Sequence, residues 1–406
     1  MPGATRFGRG LRQGVLDQGR NWHHHRAARR RIPFRDARTL MSETERDHGM
    51  KKYLSAAVAA LALGGSASAV ANCRNWQPTG KIISVSPGVD LQTTINKAVA
   101  GTIIQLARGT YTLNSPIEMR SGVSIHGLSG AIVSFNGNGN YNAFHVARGV
   151  SDLSIWGVTF DGRSTGTEGS SPNIKGAIFI DHGGSINVVG NTFQNIFNCS
   201  GLFMYDSDNV YVQNNSFNNV VQGISTQYDD GLKTHHTYWV SDNKLNSFHR
   251  MGIEIFAGWC QDFHVDRNTL TWSSRAIGLS IVTGGGQSVQ DTSTANGTIM
   301  GNTENGAAGS GAWGLELGVP NFNVEGNTMT NLGTPFCISS SPKSVIFNNH
   351  VSNATAIFSR DGGYESNFWV GSNTLNKLTV VGWPGHGLTN QPSTNYSPSI
   401  PACSAQ

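Results

Sequence analysis

The stretch "INVVGNTFQNIFNCSGLFMYDSDNVYVQNNSF" (Ile186 to Phe217) contains one complete copy of a repeating pattern. Each copy places an asparagine between two apolar positions, as in "VVGNTF" around Asn191 and "VQNNSF" around Asn215. A second short segment, "GLFMYD", lies between the two asparagines. Alternating apolar residues bounded by Gly, Asn and Asp predict short strands joined by turns, with asparagine at one of those turns.

The pattern recurs over the second half of the chain with gaps of 22 to 34 residues. Its asparagines are Asn191, Asn215, Asn243, Asn268, Asn302, Asn327, Asn349 and Asn373. In the earlier segment "LSIWGVTF" we expect Gly157 at the same place. This period is typical of one coil of a parallel β-solenoid, in which inward apolar residues stack into a continuous core. Leucine-rich repeats need leucines at fixed offsets, and a propeller blade is antiparallel and longer. We expect the recurrent asparagines to hydrogen-bond from coil to coil.

The segment "LQTTINKAVAGTIIQLARGTYTLNSPIEMRSGVSIHGLSG" (Leu91 to Gly130) resembles the opening of right-handed parallel β-helix proteins of the pectin lyase-like superfamily. The resemblance implies an all-β, right-handed parallel β-helix of about ten coils over residues 80–378, with a short N-terminal capping helix. Residues 379–406 are expected to form an irregular tail. The superfamily includes lyases, hydrolases, epimerases, phage tailspikes and adhesins, so the resemblance predicts a fold and leaves the chemistry open.

The segment "MKKYLSAAVAALALGGSASAVANC" (Met50 to Cys73) has the pattern of a secretory signal peptide. Two lysines precede an apolar run that is too short to span a bilayer, and small residues follow it. We therefore expect a signal peptide over residues 50–71, cleaved after Ala69 or Ala71, and a secreted or periplasmic protein with no membrane segment after cleavage. Residues 1–49 are expected to be an upstream extension, either mis-assigned or disordered.

The distribution of charge argues against a nucleic-acid partner. The chain as a whole carries a net charge of +4, but residues 1–49 hold 11 arginines and 5 acidic residues, and Lys51 and Lys52 follow. The remainder has 16 basic and 20 acidic residues, a net charge of −4. No basic surface is left for nucleic acid.

Five cysteines occur, at no metal-ligand spacing: Cys73, Cys199, Cys260, Cys337 and Cys403. In an exported protein we expect one or two disulfides and one free thiol, with the pairing left open. No cofactor is evident. Calcium is an open alternative, although no pectate-lyase-type calcium motif is recognisable, and the oligomeric state is also open.

Charged residues make up only 13% of the chain, yet they concentrate in "QYDDGLKTHHTYWVSDNKLNSFHRMGIE", Gln227 to Glu254. The 28-residue gap between Asn215 and Asn243 indicates an insertion, "YDDGLKTHH". In "GIEIF", Ile253 and Ile255 are expected to face the core and Glu254 to face outward. The same alternation predicts two outward columns across neighbouring coils. One contains Phe203, Ser225, Glu254, Gly278 and Glu316, and the next contains Tyr205, Gln227, Phe256 and Ser280. Two strand spacings would separate the two glutamates by roughly 9–10 Å.

A cleft between the insertion and the Glu254 strand is therefore the candidate active site. The candidate catalytic residues are Asp229, Asp230, Lys233, His249, Arg250 and Glu254. The candidate substrate-binding residues are Gln227, His235, His236, Arg275, Glu316 and Trp259. For Trp259, Trp272 and Trp313, stacking on a sugar and burial in the core are both open. No third ligand accompanies His235 and His236, so no metal site is predicted.

The mixture of cations and acids favours an acidic, uronate-containing polysaccharide as substrate. A lyase, or the related epimerase, must neutralise the sugar carboxylate and remove a ring proton, with Arg250, Arg275 or Lys233 as the cation and Lys233 or His249 as the base. A hydrolase needs two carboxyl groups in opposite protonation states, among Asp229, Asp230, Glu254 and Glu316.

A non-catalytic surface or adhesive protein is the third alternative. The "DD" and "HRMG" segments resemble part of the polygalacturonase pattern. The Asn-Thr-Asp and Arg-x-Lys segments of that family are missing, which puts homology of the site in doubt.

Overall fold

The computed structural model describes residues 79–137, 142–164, 175–227, 236–257, 261–273, 275–283, 296–307, 311–338, 344–354, 358–360, 369–371 and 374–376. All of them belong to the second of the two units into which the chain divides, Cys73–Gln406. The expected extension, signal peptide and C-terminal tail lie outside these residues. Within the described segments, no helix is both long enough and apolar enough to cross a membrane.

The described strands form two parallel sheets that wind as three ribbons. Ribbon A is a sheet of twelve described strands. Its strands are β1 (Lys81–Val85), β2 (Thr102–Leu106), β5 (Val123–Gly127), β8 (Ser151–Trp156), β11 (Gly184–Val189), β13 (Asp208–Gln213), β15 (His236–Ser241), β17 (Gln261–Asp266), β20 (Asn296–Met300), β23 (Phe322–Glu325), β26 (Val345–Phe347) and β29 (Trp369–Gly371).

The second sheet has eighteen described strands, arranged as ribbons B and C. Ribbon B contains β3 (Gly109–Thr112), β6 (Ala131–Ser134), β9 (Thr159–Asp161), β18 (Thr269–Thr271), β21 (Thr303–Asn305), β24 (Thr328–Thr330), β27 (His350–Ser352) and β30 (Thr374–Asn376). Ribbon C contains β4 (Ile117–Glu118), β7 (Phe144–Val146), β10 (Gly176–Asp181), β19 (Ile277–Thr283), β22 (Trp313–Gly318), β25 (Thr334–Ile338) and β28 (Phe358–Arg360). Three long strands run through both ribbons: β12 (Thr192–Tyr205), β14 (Ser216–Gln227) and β16 (Lys244–Ala257).

Each coil pairs in parallel register with the coils before and after it, so equivalent side chains stack. On ribbon A, for example, Val210 pairs with Tyr238 and Val212 with Val240. Inward residues of all three ribbons form one apolar core. Within it, the rings of Phe193 and Phe217 stack at 4.6 Å between centroids. The predicted all-β parallel β-helix is confirmed.

A short helix, α1 (Leu91–Lys97), lies between β1 and β2, as expected for an N-terminal cap. The Asp90 carboxylate accepts a hydrogen bond from the backbone N–H of Thr93 at 2.9 Å, which satisfies a donor that the helix itself leaves unpaired. Leu91 and Ile95, four positions apart and thus on one helical face, are buried in the core. The burial of that face fixes the helix against the end of the solenoid.

At the turn between ribbons A and B, seven buried asparagines follow one another from Asn191 to Asn349. The Asn268 carboxamide shows the repeating geometry: Oδ1 accepts from the backbone N–H and Nδ2 of Asn243, and Nδ2 donates to the carbonyl of Val240 at 2.8 Å. Nδ2 of Asn268 also donates to Oδ1 of Asn302 at 3.0 Å. Both ends of the buried amide are satisfied, which avoids the cost of an unpaired polar group.

In the coil before Asn191, the asparagine position is occupied by Val158, one residue after the predicted Gly157. Trp156 pairs with Val189, so Gly157 is level with Gly190, and Val158 is level with Asn191. The expectation that Gly157 takes the asparagine place is therefore wrong. The backbone N–H of Val158 donates to Oδ1 of Asn191 at 3.1 Å, so this coil ends the row by supplying a backbone donor. Asn373 lies outside the described residues.

Candidate functional site

The outward column on ribbon C alternates serine with glutamate. Strand register places Ser225 beside Glu254, Glu254 beside Ser280, and Ser280 beside Glu316. The residue between the two glutamates is therefore Ser280, and the prediction of Gly278 there is wrong. In the neighbouring column Phe256 pairs with Val282, so the prediction of Ser280 in that column is also wrong.

The physical reason for the error lies at the corner between ribbons B and C. Gly278 occupies that corner, where a Cβ would overlap Oε2 of Glu304 and lie 3.0 Å from the Trp272 ring. Equivalent corner glycines occur at Gly223, Gly252 and Gly314, each facing a large side chain of ribbon B or the turn after it. In each of these coils the outward column comes two residues after the corner glycine. Alternation alone permits a shift of two residues, whereas the corner glycines determine the register.

Each glutamate of the column is held by the serine of the preceding coil. Ser225 Oγ donates to Oε2 of Glu254 at 3.0 Å, and Ser280 Oγ donates to Oε2 of Glu316 at 2.6 Å. Gln222 Nε2 also donates to Oε2 of Glu254. Although Glu254 points away from the apolar core, it is only 3% exposed, while Glu316 is half-buried. Two strand spacings of about 4.8 Å place the two glutamate backbones roughly 10 Å apart.

The Arg250 guanidinium is fixed by this network. Its Nη1 donates to Oε1 of Gln222 at 2.8 Å and lies 3.3 Å from Oε1 of Glu254. Four residues of straight strand span about 13 Å, so a contact between residues 250 and 254 requires a bend. The register of β14 against β16 shifts between Val220 and Gln222 and supplies it.

The rest of the guanidinium is available. The Arg250 side chain is 25% exposed, and among the described residues only its Nη1 donates hydrogen bonds. Within the described part of the chain, Nε and Nη2 have no partner and could bind a ligand. A buried carboxylate that holds one edge of an arginine keeps the other edge in a fixed direction, at a lower entropic cost than a mobile side chain.

Three further predicted residues lie away from this network. His249 packs its ring 5.1 Å from that of Phe197, and its Nε2 lies 3.4 Å from Oδ1 of Asn219. Gln227 is half-buried at the end of β14, level with Tyr205. Arg275 is exposed just before β19. The structure therefore brings Arg250 and Glu254 together, but it does not bring His249 to them.

The tryptophans separate into two classes. Trp272 is buried, with its ring 4.9 Å from that of Phe248, so sugar stacking is excluded for it and the core interpretation is correct. Trp313 is half-buried at the start of β22, level with Ile277 on the site face.

The inserted loop falls outside the described residues. Asp229, Asp230, Lys233, His235 and Trp259 all lie in segments that the structure does not describe. His236 begins β15, opposite Gln261, and nothing is described of its side chain. The predicted cleft between this loop and Glu254 remains a prediction.

Sequence reasoning missed Gln222 as part of the network. This residue is level with Met251 and, through it, with Ile277, and both of those positions are apolar. The preceding coil has Ser200 at this position, so the column is mixed and no sequence pattern distinguishes Gln222, which the structure shows to be fully buried.

Neither metal binding nor thiol chemistry is favoured in the described part of the chain. No group of three or more His, Cys, Asp or Glu residues there is arranged to hold a metal ion. Cys199 is free, and burial raises the pKa of its thiol to about 12, so it stays protonated and unreactive. Cys337, next to Glu316 in the column, forms a disulfide with a cysteine outside the described residues.

No family model and no curated protein matches the sequence. Solved structures do match the fold. The AlgE6 A-module of Azotobacter vinelandii, a mannuronan C-5 epimerase, has a TM-score of 0.55 at 13% identity, covering 79% of this chain and 97% of its own.

Two other matches have different roles. PfbA, a surface adhesin of Streptococcus pneumoniae, has a TM-score of 0.52 at 14% identity over 75% of this chain and 92% of its own. A tailspike protein of E. coli bacteriophage HK620, in complex with a pentasaccharide, has a TM-score of 0.53 at 15% identity over 75% and 62%. At such identities the likeness concerns the fold alone. The chain has the right-handed parallel β-helix, or pectin lyase-like, fold.

Proposed function

We propose that the protein binds an acidic, uronate-containing polysaccharide along ribbon C and cleaves it as a lyase, or converts it as the related epimerase. The observation that carries the proposal is the Arg250 guanidinium, held at one edge by Glu254 and Gln222 and open at the other. Export to the cell surface or the surroundings, from the signal peptide pattern, belongs to the same proposal.

The chemistry of the open edge selects the substrate class. Two parallel N–H donors of an arginine match the two oxygens of a carboxylate, and such charge-assisted pairs are stronger than neutral ones. A carboxylate also identifies a uronate, the class of sugar in which the ring proton beside the carboxylate can be removed in elimination or epimerisation. An arginine fixed in this way suits a uronate better than a neutral sugar.

The solved proteins of similar fold support a carbohydrate as the first ligand class to test. They include an epimerase of mannuronan and a tailspike bound to a pentasaccharide. They also include an adhesin, so a binding protein without catalysis is an outcome that the experiment must be able to detect. Calcium, which hard oxygen ligands would bind, is tested by adding it and a chelator in turn.

Hydrolysis is the second candidate, favoured by the spacing of Glu254 and Glu316. Inverting glycosidases hold two carboxyl groups about 6.5–9.5 Å apart, with water between them. In that case Glu254, which accepts hydrogen bonds from Ser225, Gln222 and Arg250, is the ionised base. Glu316 would then have to be the acid.

The experiment is a screen of polyuronates and bacterial exopolysaccharides, with absorbance of unsaturated product and reducing ends recorded in parallel. Both signals together indicate a lyase, and reducing ends alone indicate a hydrolase. Binding without either signal indicates an epimerase if the ratio of the two epimeric uronates in the polymer changes. It indicates an adhesive protein if that ratio stays the same. If no acidic polymer binds while a neutral one does, the proposal is wrong.

The Arg250→Gln variant tests the carrying observation. We expect it to weaken binding of an acidic oligosaccharide at least about tenfold and to lower kcat/KM by a similar factor. Arg267→Gln is the matched control, because Arg267 also pairs with a carboxylate, that of Asp242 at 2.9 Å, but at the turn after ribbon A. Equal effects of the two variants would contradict the assignment.

A further inference from the structure

A second group of charged side chains gathers at the end of ribbon C that leads into ribbon A, three coils before Glu254. Asp181 and His182 end strand β10 and begin its turn, and Asp206 follows β12. Arg148 follows β7, the strand that pairs with β10 on its other side. Their strands are neighbours in the sheet, so three successive coils contribute to one cluster.

His182 is the centre of the cluster. Its Nδ1 hydrogen-bonds to Oδ1 of Asp181, and its Nε2 lies 2.7 Å from Nη2 of Arg148. Oδ2 of Asp206 lies 3.5 Å from the same Nε2. The side chains of His182 and Asp206 are 9% and 1% exposed, whereas Arg148 is exposed.

These contacts indicate which ring nitrogen carries a proton. An ionised carboxylate can only accept, so a proton lies on Nδ1, where it is donated to Asp181. Nη2 of Arg148 lies beside the ring, 2.7 Å from Nε2 and 3.4 Å from Nδ1. When the ring carries no second proton, Nε2 is its basic atom. A carboxylate that orients the far nitrogen of a histidine is the arrangement that makes the near nitrogen a general base.

Asp206 is placed to stabilise the product of proton transfer. Once Nε2 gains a proton it can no longer accept from Arg148, but it can donate to Oδ2 of Asp206. The imidazolium would then have a carboxylate at each nitrogen. Arg148 would be released towards any anion in the groove, and among the described residues it makes no hydrogen bond other than those to His182.

We propose that Arg148, Asp181, His182 and Asp206 form the proton-transfer site of this protein, with His182 as the base. The inference rests on the proposed function, since its substrate is a uronate unit of the same acidic polysaccharide. Four strand spacings, about 19 Å, separate β7 from β16, and the two arginines also lie on opposite sides of the Glu254 column, so Arg148 and Arg250 would bind carboxylates of different units of one chain. The unit at Arg148 is the one that reacts, and Arg250 holds a more distant unit.

The uronate carboxylate draws the Arg148 guanidinium away from His182, which uncovers Nε2. Nε2 takes the proton from the ring carbon that bears the carboxylate, and the electron pair left behind forms the new carbon–carbon double bond. The glycosidic C–O bond at the next carbon breaks, and the departing oxygen takes a proton from water. His182 then returns its proton to solvent. Without C–O cleavage, a proton delivered by water to the opposite face of the same carbon would give the epimer.

The His182→Gln variant tests the base directly. Glutamine keeps hydrogen-bonding capacity but cannot accept the proton, so turnover of the best polyuronate from the screen should fall about a hundredfold or more. The dissociation constant of a pentameric oligouronate should stay within about threefold. His264→Gln is the control, because His264 is half-buried on ribbon A and bonded to Thr298 at 3.0 Å. Turnover of the His182→Gln variant within about threefold of the parent overturns the proposal.

Asp181→Asn separates positioning from simple folding. Asparagine can turn its amide towards Nδ1 and favour the other tautomer, so turnover should fall while the melting temperature stays near that of the parent. The imidazole ¹⁵N spectrum should show Nδ1–H in the parent and a mixture in the variant. A parent ring protonated on Nε2 alone would contradict the assignment, whether or not a substrate has been found.

Two outcomes distinguish this proposal from the function on which it rests. If a pentameric oligouronate binds but is not cleaved, the exchange of its ring proton in D₂O is followed by NMR. Exchange that disappears in the His182→Gln variant supports the base, and no exchange in the parent overturns it. If no oligouronate binds, the proposed function fails by that result, and the base assignment to a uronate fails with it. The imidazole ¹⁵N spectrum would still show which ring nitrogen of His182 carries the proton.

Discussion

Replacing Glu304 should remove a large dependence of stability on pH. Glu304 lies in register between Leu270 and Met329, so it faces the core at a position where the adjacent coils carry apolar side chains. It is fully buried, and neither carboxyl oxygen has a hydrogen-bond partner among the residues that the structure describes. Burial raises its pKa from about 4.5 to about 8, because the charged form would be transferred out of water without compensation.

The magnitude follows from proton linkage. Below pH 4.5 both the folded and the unfolded chain carry the proton, and the raised pKa has no effect. Between pH 4.5 and 8 the unfolded chain releases the proton while the folded chain retains it, so the free energy of unfolding falls as pH rises. At about 1.4 kcal/mol per pH unit, the loss reaches about 5 kcal/mol by pH 8 and then levels off.

The perturbation is Glu304→Met, which reproduces the apolar residue of the neighbouring coil. Urea unfolding of parent and variant from pH 4 to pH 9 gives the difference in free energy at each pH. We expect a small difference near pH 4 that grows by about 5 kcal/mol in favour of the variant by pH 8. Glu325→Gln, at a half-buried position of β23 and not in the apolar core, is the matched control for removal of a glutamate. A constant difference across this range would show that Glu304 is solvated or paired.

Three further outcomes follow from the fold and the sequence. Asn268→Ala should lower the free energy of unfolding by about 1–3 kcal/mol, because it leaves buried donors and acceptors of the adjacent coils unpaired. The control Asn246→Ala, at an exposed site, should lower it by less than about 0.5 kcal/mol. Urea unfolding measures both variants, and equal losses would contradict the reasoning. Gly278→Ala should destabilise by about 1–3 kcal/mol, and by less when Glu304 is also alanine, which a double-mutant cycle measures. N-terminal sequencing of exported protein should find Val70 or Asn72 first, and finding residues 1–49 attached would refute the signal peptide.

The fold could be predicted because its information is repeated. The asparagine pattern occurs in coil after coil, so an error in one copy is outweighed by the others. Alternation within strands also identified the faces: Ile253 and Ile255 are buried in the core, and Glu254 is on the other face.

The site could be predicted only in part because it depends on departures from the repeat. The contact between Arg250 and Glu254 exists because β14 and β16 bend at a register shift, which alternation cannot reveal. The burial of Glu304 is a different case. The segment "IMGNTE" places this glutamate at the apolar position of the repeat, so the anomaly is visible in the sequence. The cluster around His182 joins side chains from three coils, which become neighbours only once the register is known.

The parallel register makes the molecule a one-dimensional array in which each coil touches only the coil before it and the coil after it. In such an array the cooperativity of unfolding depends on the contacts between neighbouring coils, and one weak coil lets the coils on its two sides unfold separately. The coil that contains Glu304 becomes such a weak coil at alkaline pH, because ionisation of Glu304 destabilises that coil. Amide exchange above pH 8 should therefore report two blocks with different protection, one on each side of β21. At pH 5 the same amides should exchange as a single cooperative unit.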